Sequence, residues 1–166
     1  MLESPNFYLK KLVFIVSVLF FLLFNYSDVL AVNDTLFKVD RIAGKIEKVK
    51  EKLSLFLKFN KVAKVDYYQY LSEKRLAELV YAVENDVNSL EQTASRYSTY
   101  IGTLTNYVLA NKITGEKQDL VSMFERHTRI IESLQKKFEF ESGWWLAIQH
   151  DINSLGIFKD KIKALN

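Results

Sequence analysis

Apolar residues recur along this chain at alternating steps of three and four, the spacing that lines up one face of a helix. The first row is Val39, Ile42, Ile46, Val49, Leu53 and Phe56, a narrow seam of the coiled-coil kind. Asp34 suits an N-cap ahead of it, and Lys58-Phe59-Asn60-Lys61 reads as a turn with Asn60 capping the next helix. A second helix is predicted over about 62–84, with Val65, Tyr68, Leu71, Leu76, Leu79, Val80 and Val83 and a slip of phase near Arg75. The stretch 84–88 either breaks the chain or is passed over by one long helix. The third row is Val87, Leu90, Ala94, Tyr97, Ile101, Leu104 and Val108. Asn111 to Gly115 is the clearest loop, since Asn, Thr and Gly are poor helix residues. The fourth row is Leu120, Phe124, His127, Ile131, Leu134 and Phe138; beyond the weak breaker Ser142-Gly143 the register continues through Trp145, Ile148, Ile152, Leu155 and Ile162. The pattern predicts an all-α fold, an elongated antiparallel bundle of four or five helices, with a dimeric coiled coil as the structural rival. No internal sequence repeat is evident.

The N-terminus is patterned differently. Leu12 to Phe24 holds 13 residues without a charge, directly after Lys10 and Lys11. Val29-Leu30-Ala31 then offers small residues at a cleavage site, so residues 1–31 read as a signal peptide cut after Ala31, leaving 32–166 as the bundle domain. The rival is an uncleaved signal anchor; 13 residues are short against the roughly 20 that a span needs. The flanking lysines send the C-terminal body outside, whereas Lys38, Arg41, Lys45, Lys48 and Lys50 would pull a permanent anchor the other way. That conflict favours cleavage. The expectation is an exported protein, periplasmic or extracellular, or anchored with its body outside.

Composition narrows the chemistry. The chain has 166 residues, no cysteine and a single proline, Pro5. Disulfides, a thiolate nucleophile and cysteine-ligated metal are therefore excluded, and nothing inside the body interrupts a helix as proline would. A net charge of +3 is too small to argue for nucleic acid.

One stretch resembles something known. Residues 36–79, LFKVDRIAGKIEKVKEKLSLFLKFNKVAKVDYYQYLSEKRLAEL, combine a basic amphipathic helix with Leu71-Ser72-Glu73-Lys74-Arg75-Leu76-Ala77-Glu78 on the next helix. That order, after a targeting segment, resembles the exported bacterial proteins grouped as domain of unknown function 5667. The family's lead-in tends to contain proline, where Thr35-Leu36-Phe37-Lys38 has none. The resemblance implies an extracytoplasmic helical domain and transfers no catalytic residue.

The candidate binding residues are a cation stripe. Lys38, Arg41, Lys45, Lys48 and Lys52 repeat the spacing of the first apolar row one residue earlier, about 100° around the helix. From Lys38 through Lys64 nine Lys and Arg face only Asp40, Glu47 and Glu51. Such a row can meet an anionic membrane surface or an envelope protein, or can simply flank the seam and pair with acids of a neighbouring helix. Seven tyrosines between positions 67 and 107 suit either packing or a binding face. Trp144 and Trp145 point about 100° apart and cannot form one flat platform.

His127 sits in an apolar row and reads as a packed, hydrogen-bonded side chain. His150 and Asp151 are helix neighbours that do not face each other. No zinc-protease, di-metal, phosphate-loop or nucleophile-elbow motif occurs, so no catalytic residue, metal or cofactor is expected. The reading is a non-enzymatic extracytoplasmic interaction module, with homo-oligomers through the heptad seams as one arrangement. The alternative is a membrane-tethered sensory or ligand-binding bundle.

Overall fold

Five α-helices succeed one another in residues 37–166, the residues that the computed structural model describes, and no strand occurs among them. They are α1 (Lys45–Phe56), α2 (Lys61–Asn85), α3 (Leu90–Asn111), α4 (Lys117–Gln135) and α5 (Gly143–Lys163). The leader, its cleavage after Ala31 and the Asp34 cap lie outside the described residues. None of the described helices is long and apolar enough to cross a membrane.

Local chemistry sets the boundaries. Gly44, with extended backbone, precedes α1, so the helix begins at Lys45 and not near Asp34. Val39 and Ile42 therefore belong to an irregular lead-in and do not share the helix face of Ile46. Asn60 caps α2 as expected: its side-chain oxygen accepts from the backbone N–H of Val62 at 2.8 Å and of Ala63 at 3.4 Å. The stretch 84–88 does break the chain. Asp86 leaves the helical region, and a 3₁₀ turn over Val87–Ser89 leads into α3. Lys112 takes a left-handed conformation at the end of α3, and the N–H of Ile113 returns to the carbonyl of Val108 at 3.1 Å. Ser142 is a true boundary, since its hydroxyl accepts from the N–H of Trp145 and starts α5 afresh.

The apolar rows beyond residue 60 form the core. Val65, Leu76 and Leu79 of α2 meet Leu90, Ile101 and Leu104 of α3, Phe124 and Ile131 of α4, and Ile148, Leu155 and Ile162 of α5. The helices make two hairpins, α2 with α3 and α4 with α5, laid together so that α3 packs on α5 and α2 touches α4. Three ties between the hairpins share one spacing. Glu73 with Arg126, Glu84 with Lys137 and Ser98 with Asp151 are each separated by 53 residues. The hairpins are thus stacked in parallel and in a single register. At 25 residues α2 is about 37 Å long, which sets the length of the bundle.

Candidate functional site

The first helix departs from the rest. Its apolar row was expected to be a buried seam, yet Ile46 is 76%, Val49 65% and Phe56 73% exposed, and Leu53 is exposed beside them. Among the described residues nothing covers this row. It continues around the turn into α2 through Phe59 and Val62, also exposed.

The reason lies on the opposite face of α1. Glu51 is buried, with Lys74 donating to it at 2.8 Å and Arg75 to its other oxygen. Lys74 also donates to Glu47. Arg75, fully buried, reaches Glu78 as well, and Arg96 of α3 donates to Glu78 at 3.0 Å. Glu78 accepts the backbone N–H of Ala43 at 3.0 Å, which ties down the lead-in. The Arg75 guanidinium also lies 4.7 Å over the Tyr100 ring. A helix face pinned by carboxylates to buried cations must point its apolar side away. Burial pushes the Lys74 pKa down, but the bonds and charges of Glu47 and Glu51 outweigh it and leave it raised.

The predicted cation stripe is divided by this geometry. Lys38 and Arg41 are exposed but lie in the irregular lead-in, so helical spacing does not align them with the rest. Lys45 and Lys52 are exposed on α1, one residue before Ile46 and Leu53, along one edge of the apolar row. Lys48 turns inward, half-buried; burial first, then the charges of Arg96 and Arg75, lower its pKa. Lys50, outside the stripe, is exposed along the other edge, one residue after Val49. The outward face of α1 is therefore an apolar ridge with cations on both sides, and the helix's two acids are held against the body. The sequence contained every residue of this ridge. The signal missed was the period of the acids: Glu47 and Glu51 stand four apart, facing the Lys74-Arg75 pair of the next helix.

A second polar grouping crosses the core. Tyr97, fully buried, lies 2.9 Å from His127 Nδ1, and His127 Nε2 lies 2.9 Å from Glu73, which Arg126 also contacts. Burial raises the Glu73 pKa, but the bonds and charges of His127 and Arg126 outweigh it and hold the carboxyl below its usual range. An ionised Glu73 only accepts, so His127 Nε2 donates to it, and Nδ1 shares a hydrogen bond with the Tyr97 hydroxyl. His127 is thus the packed, hydrogen-bonded residue expected of it. Beyond Tyr97, Ser98 donates to the buried Asp151. His150, largely exposed, comes no nearer than 3.9 Å to that carboxylate.

The tyrosines divide. Tyr97 is core, half-buried Tyr68 lies 5.4 Å from Tyr107 with the rings tilted at 48°, and Tyr67 sits 5.7 Å from Tyr70 near α1. Trp144 packs against the core, while Trp145 meets the exposed Phe140 edge-on at 4.9 Å. No group of three or more His, Asp or Glu suited to a metal ion occurs among the described residues. No family model, curated protein or solved structure matches this chain.

Proposed function

We propose that the chain is a non-enzymatic, extracytoplasmic interaction module whose contact surface is the outward face of α1, and that the surface it meets is an anionic lipid bilayer. The observation that carries this reading is the apolar ridge Ile46, Val49, Leu53 and Phe56, exposed with Lys45 and Lys52 on one edge and Lys50 on the other. An amphipathic helix of this kind lies in the plane of a membrane interface, its apolar side among acyl chains and its lysines at the headgroups. Charge complementarity selects the occupant. A second copy would bring lysines against lysines along both edges, whereas anionic headgroups match them. Glu47 and Glu51, which would repel such a surface, are neutralised by Lys74 and Arg75 on the far side. The leader-like segment and the resemblance of residues 36–79 support an address outside the cytoplasm.

The absence of cysteine makes a local test simple. An environment-sensitive fluorophore is attached to Phe56→Cys of the full chain, with a Glu91→Cys label on the body as reference. Vesicles containing phosphatidylglycerol should shift the emission at position 56 to the blue, pure phosphatidylcholine should not, and position 91 should respond to neither. A lack of shift with anionic vesicles overturns the reading. So does a label already shifted without vesicles: dependence on protein concentration would show a second copy on the ridge, and independence would show the chain's own N-terminal segment there.

A further inference from the structure

We infer that the seam between α3 and α5 is a proton-gated joint, closed when the buried Asp151 carboxyl carries a proton and loosened when it gives the proton up. Asp151 is 1% exposed on α5, facing α3. Its Oδ1 accepts from the Ser98 hydroxyl, and its Oδ2, equally buried, has no hydrogen-bond partner. A carboxylate with one donor and one bare oxygen in an apolar seam is costly, whereas the neutral acid loses much less by burial. Of the titratable groups, Tyr97 of α3 interacts with the Asp151 charge but is bonded to His127 of α4, and His150 on its own helix is mostly exposed at 3.9 Å. No cation makes a hydrogen bond to Asp151 among the described residues. Burial accordingly pushes the Asp151 pKa up to about 7, against a smaller opposing effect of Ser98. The Tyr97 hydroxyl is raised too, by burial first and then by the charges of Asp151 and Glu73.

The sign comes from proton linkage. In the open seam Asp151 is hydrated and has an ordinary carboxyl pKa, so between roughly 4 and 7 the closed form binds more protons than the open one. Opening is therefore favoured as pH rises through that window and levels off above it. This does not depend on the lipid-binding reading.

Amide hydrogen exchange over residues 148–155, corrected for intrinsic rates, measures the opening constant of the full chain and of Asp151→Asn. The ratio of wild-type to variant should rise about tenfold per pH unit from roughly pH 4.5 and level off near pH 7. Ser98→Ala, which removes the one donor to the carboxylate among the described residues, should move the levelling point to higher pH. His150→Gln should leave the window in place. A ratio independent of pH overturns the inference, as does a window that disappears with His150→Gln. If Asp151→Asn does not fold, Ser98→Ala decides alone: a wild-type profile unchanged by that substitution overturns it.

Discussion

Phe158 of α5 closes on Gly102 of α3 so tightly that a β-carbon added at Gly102 would lie 3.2 Å from the tip of the ring. Nothing larger than hydrogen fits at that point without moving the aromatic. Glycine inside a helix costs about 1 kcal/mol relative to alanine, and here the close packing of two helices offsets the cost.

Gly102→Ala is therefore expected to be nearly neutral, because the gain in helix propensity is cancelled by a small displacement of the half-buried Phe158. Gly102→Leu should destabilise by about 1–3 kcal/mol through overpacking. Urea denaturation of both variants checks this. A stabilising leucine would show that α3 and α5 are not held at this distance in solution.

Glu73 gives the acid limb of stability. Its pKa lies below the ordinary carboxyl value in the folded chain, so the folded state binds fewer protons there. The stabilisation is present above the unfolded carboxyl pKa and is lost as pH falls below about 4.5 toward the folded value. Glu73→Gln should flatten that part of the thermal-midpoint profile while lowering the midpoint at neutral pH. A profile as steep as wild type would place the acid sensitivity elsewhere.

Arg75 is fully buried between Glu51 and Glu78. Removing it alone leaves Glu51 to Lys74 and Glu78 to Arg96, so Arg75→Ala should cost up to about 3 kcal/mol, the low end for breaking a buried ion pair. The double variant Arg75→Met with Glu51→Leu should recover part of the loss while loosening α1, since the apolar pair no longer demands one register. Chemical denaturation gives the first effect, and amide exchange over residues 45–56 the second.

Asn60 caps α2 with two backbone N–H groups on its side-chain oxygen. Asn60→Ala should destabilise by about 1 kcal/mol and Asn60→Gly by only a few tenths. Equal losses would show that the turn conformation matters more than the hydrogen bonds.

The sequence could reveal the helices because their cores obey local rules. Asn60, the 111–115 loop and every apolar row from Val65 to Ile162 are readable from spacing and capping chemistry alone, whereas spacing leaves the 84–88 stretch open between a break and one long helix. The orientation of α1 is not, because its row of Ile46, Val49, Leu53 and Phe56 has the same spacing as a buried seam. What reverses it is the pairing of Glu47 and Glu51 with Lys74 and Arg75, a contact across 23 to 27 residues that local periodicity does not encode. The Asp151 setting was hidden for a similar reason: Ser98 meets it from 53 residues away.

That recurrent interval of 53 residues bears on how the chain reaches its native state. Each hairpin, α2 with α3 and α4 with α5, is closed by a short turn and can zip up from contacts near in sequence, which is fast. Laying one hairpin on the other requires contacts distant in sequence, the kind that slow folding. A slip of one helical turn between them would misplace Arg126 from Glu73, Lys137 from Glu84 and Asp151 from Ser98 together. The charged and polar ties act as a vernier, satisfied together in a single register where an all-leucine seam would set none.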